Sequence, residues 1–142
     1  MGTETQLTGS DRDSPSKTAK WAGWILSGLP ILFLLLDAIG KFVRPAAVVE
    51  GTVQLGYQPD AILPIGVVLL ACTILYAVPA TSVLGAILLT GYLGGAVATH
   101  VRVGNPIFSH MLFPVYLGVM IWLGLYFRDL RLRQLVPLRR AV

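Results

Sequence analysis

Cysteine is nearly missing from this chain: Cys72 stands alone among 142 residues. An intramolecular disulfide, a CxxC redox pair and a cysteine zinc site are therefore excluded. Histidine is scarce as well, with only His100 and His110. These two and the scattered carboxylates reproduce no metal-ligand spacing, so no metal site is expected. Charge is the third deficit. Asp, Glu, Lys and Arg make up 13% of the chain, whereas soluble domains are about one-quarter charged. With 55% hydrophobic residues and a mean hydropathy of +0.73, an ordinary water-soluble domain is excluded. There is no Gly-rich phosphate loop, GxSxG elbow, HExxH pair, haem-attachment motif or long arginine ladder. No catalytic residue is assignable from a motif, and no intrinsic haem, flavin or iron–sulfur cluster is expected.

What is present is long apolar runs. Four follow Lys20: Trp21–Val43, Ile62–Val78, Thr81–Val101 and Met111–Phe127, of 23, 17, 21 and 17 residues. A membrane helix needs roughly 17–25 residues, and in lipid every backbone group must bond internally, which makes these runs helices. The predicted fold is an all-α membrane protein, a bundle of four transmembrane helices. Residues 1–20 read as a disordered polar tail, 21–128 as the membrane domain and 129–142 as a basic C-terminal tail. Trp21, Trp24, Tyr76, Tyr126 and Phe127 lie near run ends, where rings anchor at the membrane interface. Pro79-Ala80 is a tight hairpin, and Val101 to His110 is a short polar loop. Between the first two spans, Arg44 to Ala61 reads either as a loop or as a weak amphipathic helix on the membrane. In the helical reading Pro45 starts it and Gly56 ends it.

The basic residues set the orientation. Eight of the eleven lie in the two tails: Arg12, Lys17 and Lys20 before the first span, and Arg128, Arg131, Arg133, Arg139 and Arg140 after the fourth. Lys41, Arg44 and Arg102 fall on the other side. The positive-inside rule then places both termini in the cytoplasm. The expected location is the bacterial cytoplasmic membrane. This basic excess suits an anionic lipid surface, and nucleic acid is not expected as a partner.

Ionisable groups inside membrane helices are costly, so each is a site candidate. Asp37 and Lys41, four apart near the end of the first span, share one helix face where they can pair. They read either as the wall of a polar cavity or as a self-neutralising pair with Lys41 snorkelling outward. In the third span, Gly91 and Gly95 form a GxxxG extended by Thr99, a stripe that predicts close helix–helix packing. Tyr92 and His100 share the adjacent stripe two turns apart. Arg102 follows at the same helix end. Glu50, on the amphipathic segment, lies on the same side. Together these form a near-balanced polar cluster and not a one-sign ion vestibule. His110 reads as an interfacial residue, and Cys72 as a buried, inert thiol. The arginines after the fourth span read as a lipid anchor.

The third-span run Gly91-Tyr92-Leu93-Gly94-Gly95-Ala96-Val97-Ala98-Thr99-His100-Val101-Arg102, followed by Gly104-Asn105-Pro106, resembles the DoxX-like proteins. Asp37-Ala38-Ile39-Gly40-Lys41 before Arg44-Pro45, and Leu55-Gly56-Tyr57, resemble other parts of that family. The resemblance spans roughly Trp24 to Phe127. It implies a small four-helix bacterial membrane protein. The wider DoxX/DoxD group includes subunits of quinone-linked sulfur oxidation and membrane partners of redox enzymes. The positions matching its polar pattern are Asp37, Lys41, Tyr57, Thr99, His100 and Arg102. An electron-carrying role would then need a redox-enzyme partner subunit or a bound quinone.

Four functions follow from these residues. The first is a membrane subunit binding a quinone or other lipidic small molecule, with Asp37, Lys41, Tyr92 and His100 orienting its head. The second is a scaffold that recruits partners. The third is an enzyme using His100 and Asp37 for proton transfer on a lipid. The fourth is a transporter or channel subunit that assembles into a homo-oligomer through the Gly91/Gly95 stripe.

Overall fold

In a computed structural model, which describes residues 16–135, the described chain is made of helices joined by short turns, with no strand. Helix α1 spans Lys17–Val43, α2 Ala46–Gln54, α3 Ile62–Ala77, α4 Ser82–Val103, α5 Phe113–Arg128 and α6 Leu130–Leu135. Most of the two predicted tails lies outside the described residues. Four segments are long and apolar enough to cross a membrane: Lys17–Val43, Pro59–Ala77, Ser82–Val103 and Ile107–Arg128. They are the four expected spans.

Local chemistry explains the element ends. Ser16 accepts a bond from the Ala19 N–H at 3.2 Å and caps α1, which starts at Lys17, four residues before the apolar run. Pro45 cannot continue α1, and Arg44 turns the chain with a left-handed φ of 54°. Pro45 then opens α2, so the segment between the first two spans contains a helix. Leu55 ends α2 and Gly56 follows at φ 83°. Gly104, at φ 71°, stops α4. The predicted polar loop Val101 to His110 is shorter than expected: α4 runs to Val103, and Ile107–Met111 winds into one π-helical turn.

Each span buries a narrow stripe. On α1 it is Gly23, Ser27, Pro30, Leu34 and Ala38, a helical repeat. Helix α1 packs on α3 and α5, and α4 packs on the other side of the same two helices. The large apolar side chains outside these stripes, such as Leu32, Leu36, Val67 and Val119, are exposed to the lipid.

Glycines set the closest approaches. A Cβ on Gly85 of α4 would overlap the Tyr76 backbone of α3, and one on Gly124 of α5 would overlap Ser27 of α1. A Cβ on Gly23 would lie 3.0 Å from the Arg128 nitrogen. Without side chains at these positions, backbones meet directly. At the opposite end, a Cβ on Gly66 of α3 would lie 2.8 Å from Lys41 Cβ of α1.

Tyr76 corrects its expected role. It is 0% exposed, so it is no interfacial anchor. Its hydroxyl lies 2.9 Å from the Ile121 carbonyl and 3.0 Å from Ser27 Oγ. The Tyr76 hydroxyl is the donor in both, its proton shared between the Ile121 carbonyl and Ser27 Oγ. One side chain thus ties α1, α3 and α5 together.

The arginines of the terminal end are also more than a lipid anchor. The Arg128 guanidinium stacks between Trp24 and Tyr76, 5.1 and 5.0 Å from their ring centres. It donates to the Tyr76 carbonyl at 3.2 Å. Arg133 donates to the Tyr126 and Phe127 carbonyls at 2.7 and 3.0 Å. Helix C-termini leave carbonyls without partners, and these guanidinium groups fill that need for α3 and α5. The predicted C-terminal tail therefore begins as a short helix folded back on α5, with Leu132 buried.

Candidate functional site

The polar residues gather at the end of the bundle opposite the termini. There a cavity of about 520 Å³ lies between α1, α4 and α5, under α2. Its polar lining is Asp37 and Lys41 from α1, Thr52 from α2, Tyr57 from the following loop, and Tyr92, Thr99 and His100 from α4. Its apolar wall is Phe33, Leu34, Leu93, Phe113, Pro114 and Leu117. Phe33 and Phe113 close one side edge to face, with ring centres 5.0 Å apart.

Helical spacing brings each group in. Asp37 and Lys41, one turn apart, form an ion pair of 2.6 Å. The Lys41 side chain is 14% exposed and that of Asp37 37%, so Lys41 is the more enclosed side chain. The pair both neutralises itself and lines the cavity, so the two readings of the sequence are compatible. Because its charges cancel, the cavity wall carries little net charge.

Across the cavity, Thr99 Oγ1 donates to the Gly95 carbonyl at 2.9 Å. That uses its proton, so Tyr57 is the donor in the 2.9 Å bond between the two hydroxyls. This bond pins the loop after α2 to α4. His100 Nδ1 lies 2.8 Å from Asn105 Nδ2. With the Asn105 amide in this orientation its nitrogen donates, Nδ1 accepts, and the ring proton sits on Nε2. His100 thereby keeps one N–H to offer.

Two expected members stand apart. Arg102 does not line the cavity, since two residues along a helix turn a side chain well away from His100. Its guanidinium donates to the Leu55 carbonyl at 2.7 Å and lies 6.0 Å from the Tyr57 ring centre. A Cβ on Gly56 would stand 2.9 Å from Arg102 Nη2, so glycine there serves both the positive φ and this approach. Arg102 is a clamp on the α2 end of the cavity. Its loss, Arg102→Ala, is expected to weaken that corner by about 1–2 kcal/mol. Backbone amides around Leu55–Tyr57 should exchange hydrogen several-fold faster, while the amides of α3 and α5 stay unchanged. Glu50 is exposed and lies outside the cavity. Helix α2 turns Thr52 and Leu55 toward the cavity, and Glu50, two residues before Thr52, falls on the opposite face.

The Gly91/Gly95 stripe is a correction as well. A Cβ on either glycine would have nothing within 4 Å, so neither meets another helix of this chain. Both are exposed, and both line the cavity. The tight contacts belong instead to Gly23, Gly66, Gly85 and Gly124.

Two residues that the sequence reading left outside the site, Asn105 and the interfacial His110, stand beside it. Asn105 and His110 line a second recess of about 330 Å³ that shares Asp37, Lys41 and His100 with the main cavity. The His110 ring centre lies 5.7 Å from that of His100. The turn through Gly104, Asn105 and Pro106 returns the chain toward α4. That glycine–proline pair was the available signal for a reversal. Among the described residues, no group of three His, Cys, Asp or Glu side chains stands together to hold a metal.

Four membrane-crossing helices around a polar-lined cavity define a multi-pass α-helical membrane protein. The chain belongs to the DoxX-like family, which matches residues 25–124, from α1 to near the end of α5. No curated protein and no solved structure matches it.

Proposed function

We propose that this protein is a redox-associated membrane subunit that binds a quinone, or a similar lipidic molecule with a neutral head, in the cavity beside Asp37 and His100. The observation that carries this reading is the convergence of Asp37, Lys41, Tyr92, Thr99 and His100 on one largely apolar cavity. Sites for small ligands are mostly apolar with a few convergent polar groups. The polar groups here favour a carbonyl-bearing head. His100 Nε2–H, the Tyr92 hydroxyl and the Lys41 ammonium are donors. The paired charges of Asp37 and Lys41 and the outward engagement of Arg102 give little attraction for a phosphate.

Titration of the purified protein in detergent with a tailless benzoquinone tests this. His100→Ala and Tyr92→Phe are each expected to weaken binding by about five- to tenfold, the loss of one donated hydrogen bond of about 1 kcal/mol. Unchanged binding in both variants removes the assignment. A second reading, acid–base chemistry on a lipid, rests on the same convergence of His100 and Asp37. Product formed from a lipid substrate, lost in His100→Ala, would favour it.

We also infer that both termini face the cytoplasm of a bacterial inner membrane, from the basic residues of the two tails, and that the cavity lies near the outer face. Anionic lipid and a redox-enzyme partner are the expected neighbours, with homo-oligomerisation as a further arrangement.

A further inference from the structure

The cavity lining includes Ile65 of α3 and two exposed glycines of α4, Gly91 and Gly95. At the hairpin end α3 is held against α4, where Gly85 lets the Tyr76 backbone come in. At the other end α3 leans on α1 instead: a Cβ on Gly66 would meet Lys41 Cβ at 2.8 Å and the Ala38 carbonyl at 3.8 Å. Toward the cavity end the close approach of α3 is thus to α1. Ile65 is the α3 residue that lines the cavity there, and the Tyr57–Thr99 bond holds the loop after α2 against α4. On the α4 side stand Gly91 and Gly95, which line the cavity and are exposed on the outside of the bundle. Nothing lies within 4 Å of where their side chains would be. One surface thus continues from the polar head region, past two glycines, to the hydrocarbon of the bilayer.

Size gives this opening a purpose. A cavity of about 520 Å³ is in the range that encloses a drug-sized head group. It cannot also enclose a membrane-length chain. Resting on the reading of the cavity as a ligand site, we infer that the ligand is a long-tailed amphiphile whose neutral head sits by His100 and Asp37 and whose tail leaves between α3 and α4 across Gly91 and Gly95. The tail gains no hydrophobic energy on leaving, because bilayer and cavity wall are equally apolar. The glycines act by leaving the path open.

The test is binding of two probes, a long-chain prenylated benzoquinone and the same ring without its tail, to the full chain in nanodiscs. Gly91→Leu and Gly95→Leu place a side chain in open space on a helix, where leucine is a better helix former than glycine. They are expected to weaken the tailed probe by about tenfold or more beyond any loss of the tailless ring. Gly94→Leu, whose side chain would also meet nothing within 4 Å and which does not line the cavity, should change neither. Equal loss of both probes, or loss of neither, overturns the tail path while wild-type binding of the tailless ring upholds the site. Dissociation of a dimer with binding unchanged would assign the glycines to a subunit contact and also overturns it. If wild-type protein binds neither probe, the cavity reading falls and the inference with it.

Discussion

Gly85→Ala is expected to lower the thermal stability of the bundle sharply, whereas Gly91→Ala should leave it unchanged or raise it. Both glycines lie in α4, and both substitutions add one methyl group. At Gly85 that methyl overlaps the Tyr76 backbone. A flexible side chain can yield, but here two helix backbones must separate along the α3–α4 contact. The cost is about 3 kcal/mol or more, beyond the usual overpacking of about 1–3 kcal/mol. The separation also disturbs Tyr76, whose hydroxyl joins α3 to Ile121 and Ser27. At Gly91 the methyl meets nothing within 4 Å. Only the helix preference for alanine remains, up to about 1 kcal/mol in its favour. Unfolding followed by circular dichroism in one detergent measures both. Equal transition temperatures would refute the assignment of helix contact to Gly85.

The second large effect is expected from the ion pair. Asp37→Ala leaves the Lys41 ammonium, with 14% side-chain exposure, without its carboxylate. Breaking a fully buried pair in this way costs about 3–5 kcal/mol. Lys41 lies two residues from the end of α1 and can extend part of the way toward the interface, so about 2–3 kcal/mol is expected. The double substitution Asp37→Ala with Lys41→Met should recover most of that loss, because it removes both charges and keeps the apolar stem that packs on Gly66. Ligand binding should remain impaired in the double variant. Recovery of stability without recovery of binding separates the structural share of the pair from its share in the site. A single variant as stable as wild type would mean that the ammonium is already solvated.

How legible the site was depended on the range of each interaction. Asp37 and Lys41 pair through helical spacing alone, and four residues of sequence suffice to see it. Tyr92 and His100 share a helix stripe for the same reason. His110 needed the turn after Gly104, and Asn105 was visible only as a residue in that turn. Glu50 and Arg102 were grouped with the site by their side of the membrane. Side of the membrane is a coarser coordinate than helix face, and both turned out to point elsewhere. The glycines were the hardest case. Gly91-x-x-x-Gly95 has the spacing of a packing motif, yet Gly66, Gly85 and Gly124, in no such motif, lie at the close contacts.

The sequence by itself determined the class of this protein. Apolar runs of membrane length must be helices, because lipid offers backbone groups no partner, and the scarcity of charge isolates the few polar residues that lipid makes costly. Tertiary structure decided which faces meet. In these spans apolar residues surround the helix, so hydrophobicity marks no inner face. Contact is set by where backbones can approach, and that depends on all four helices at once. For that reason the open space beside Gly91 and Gly95 could be seen only in the folded bundle.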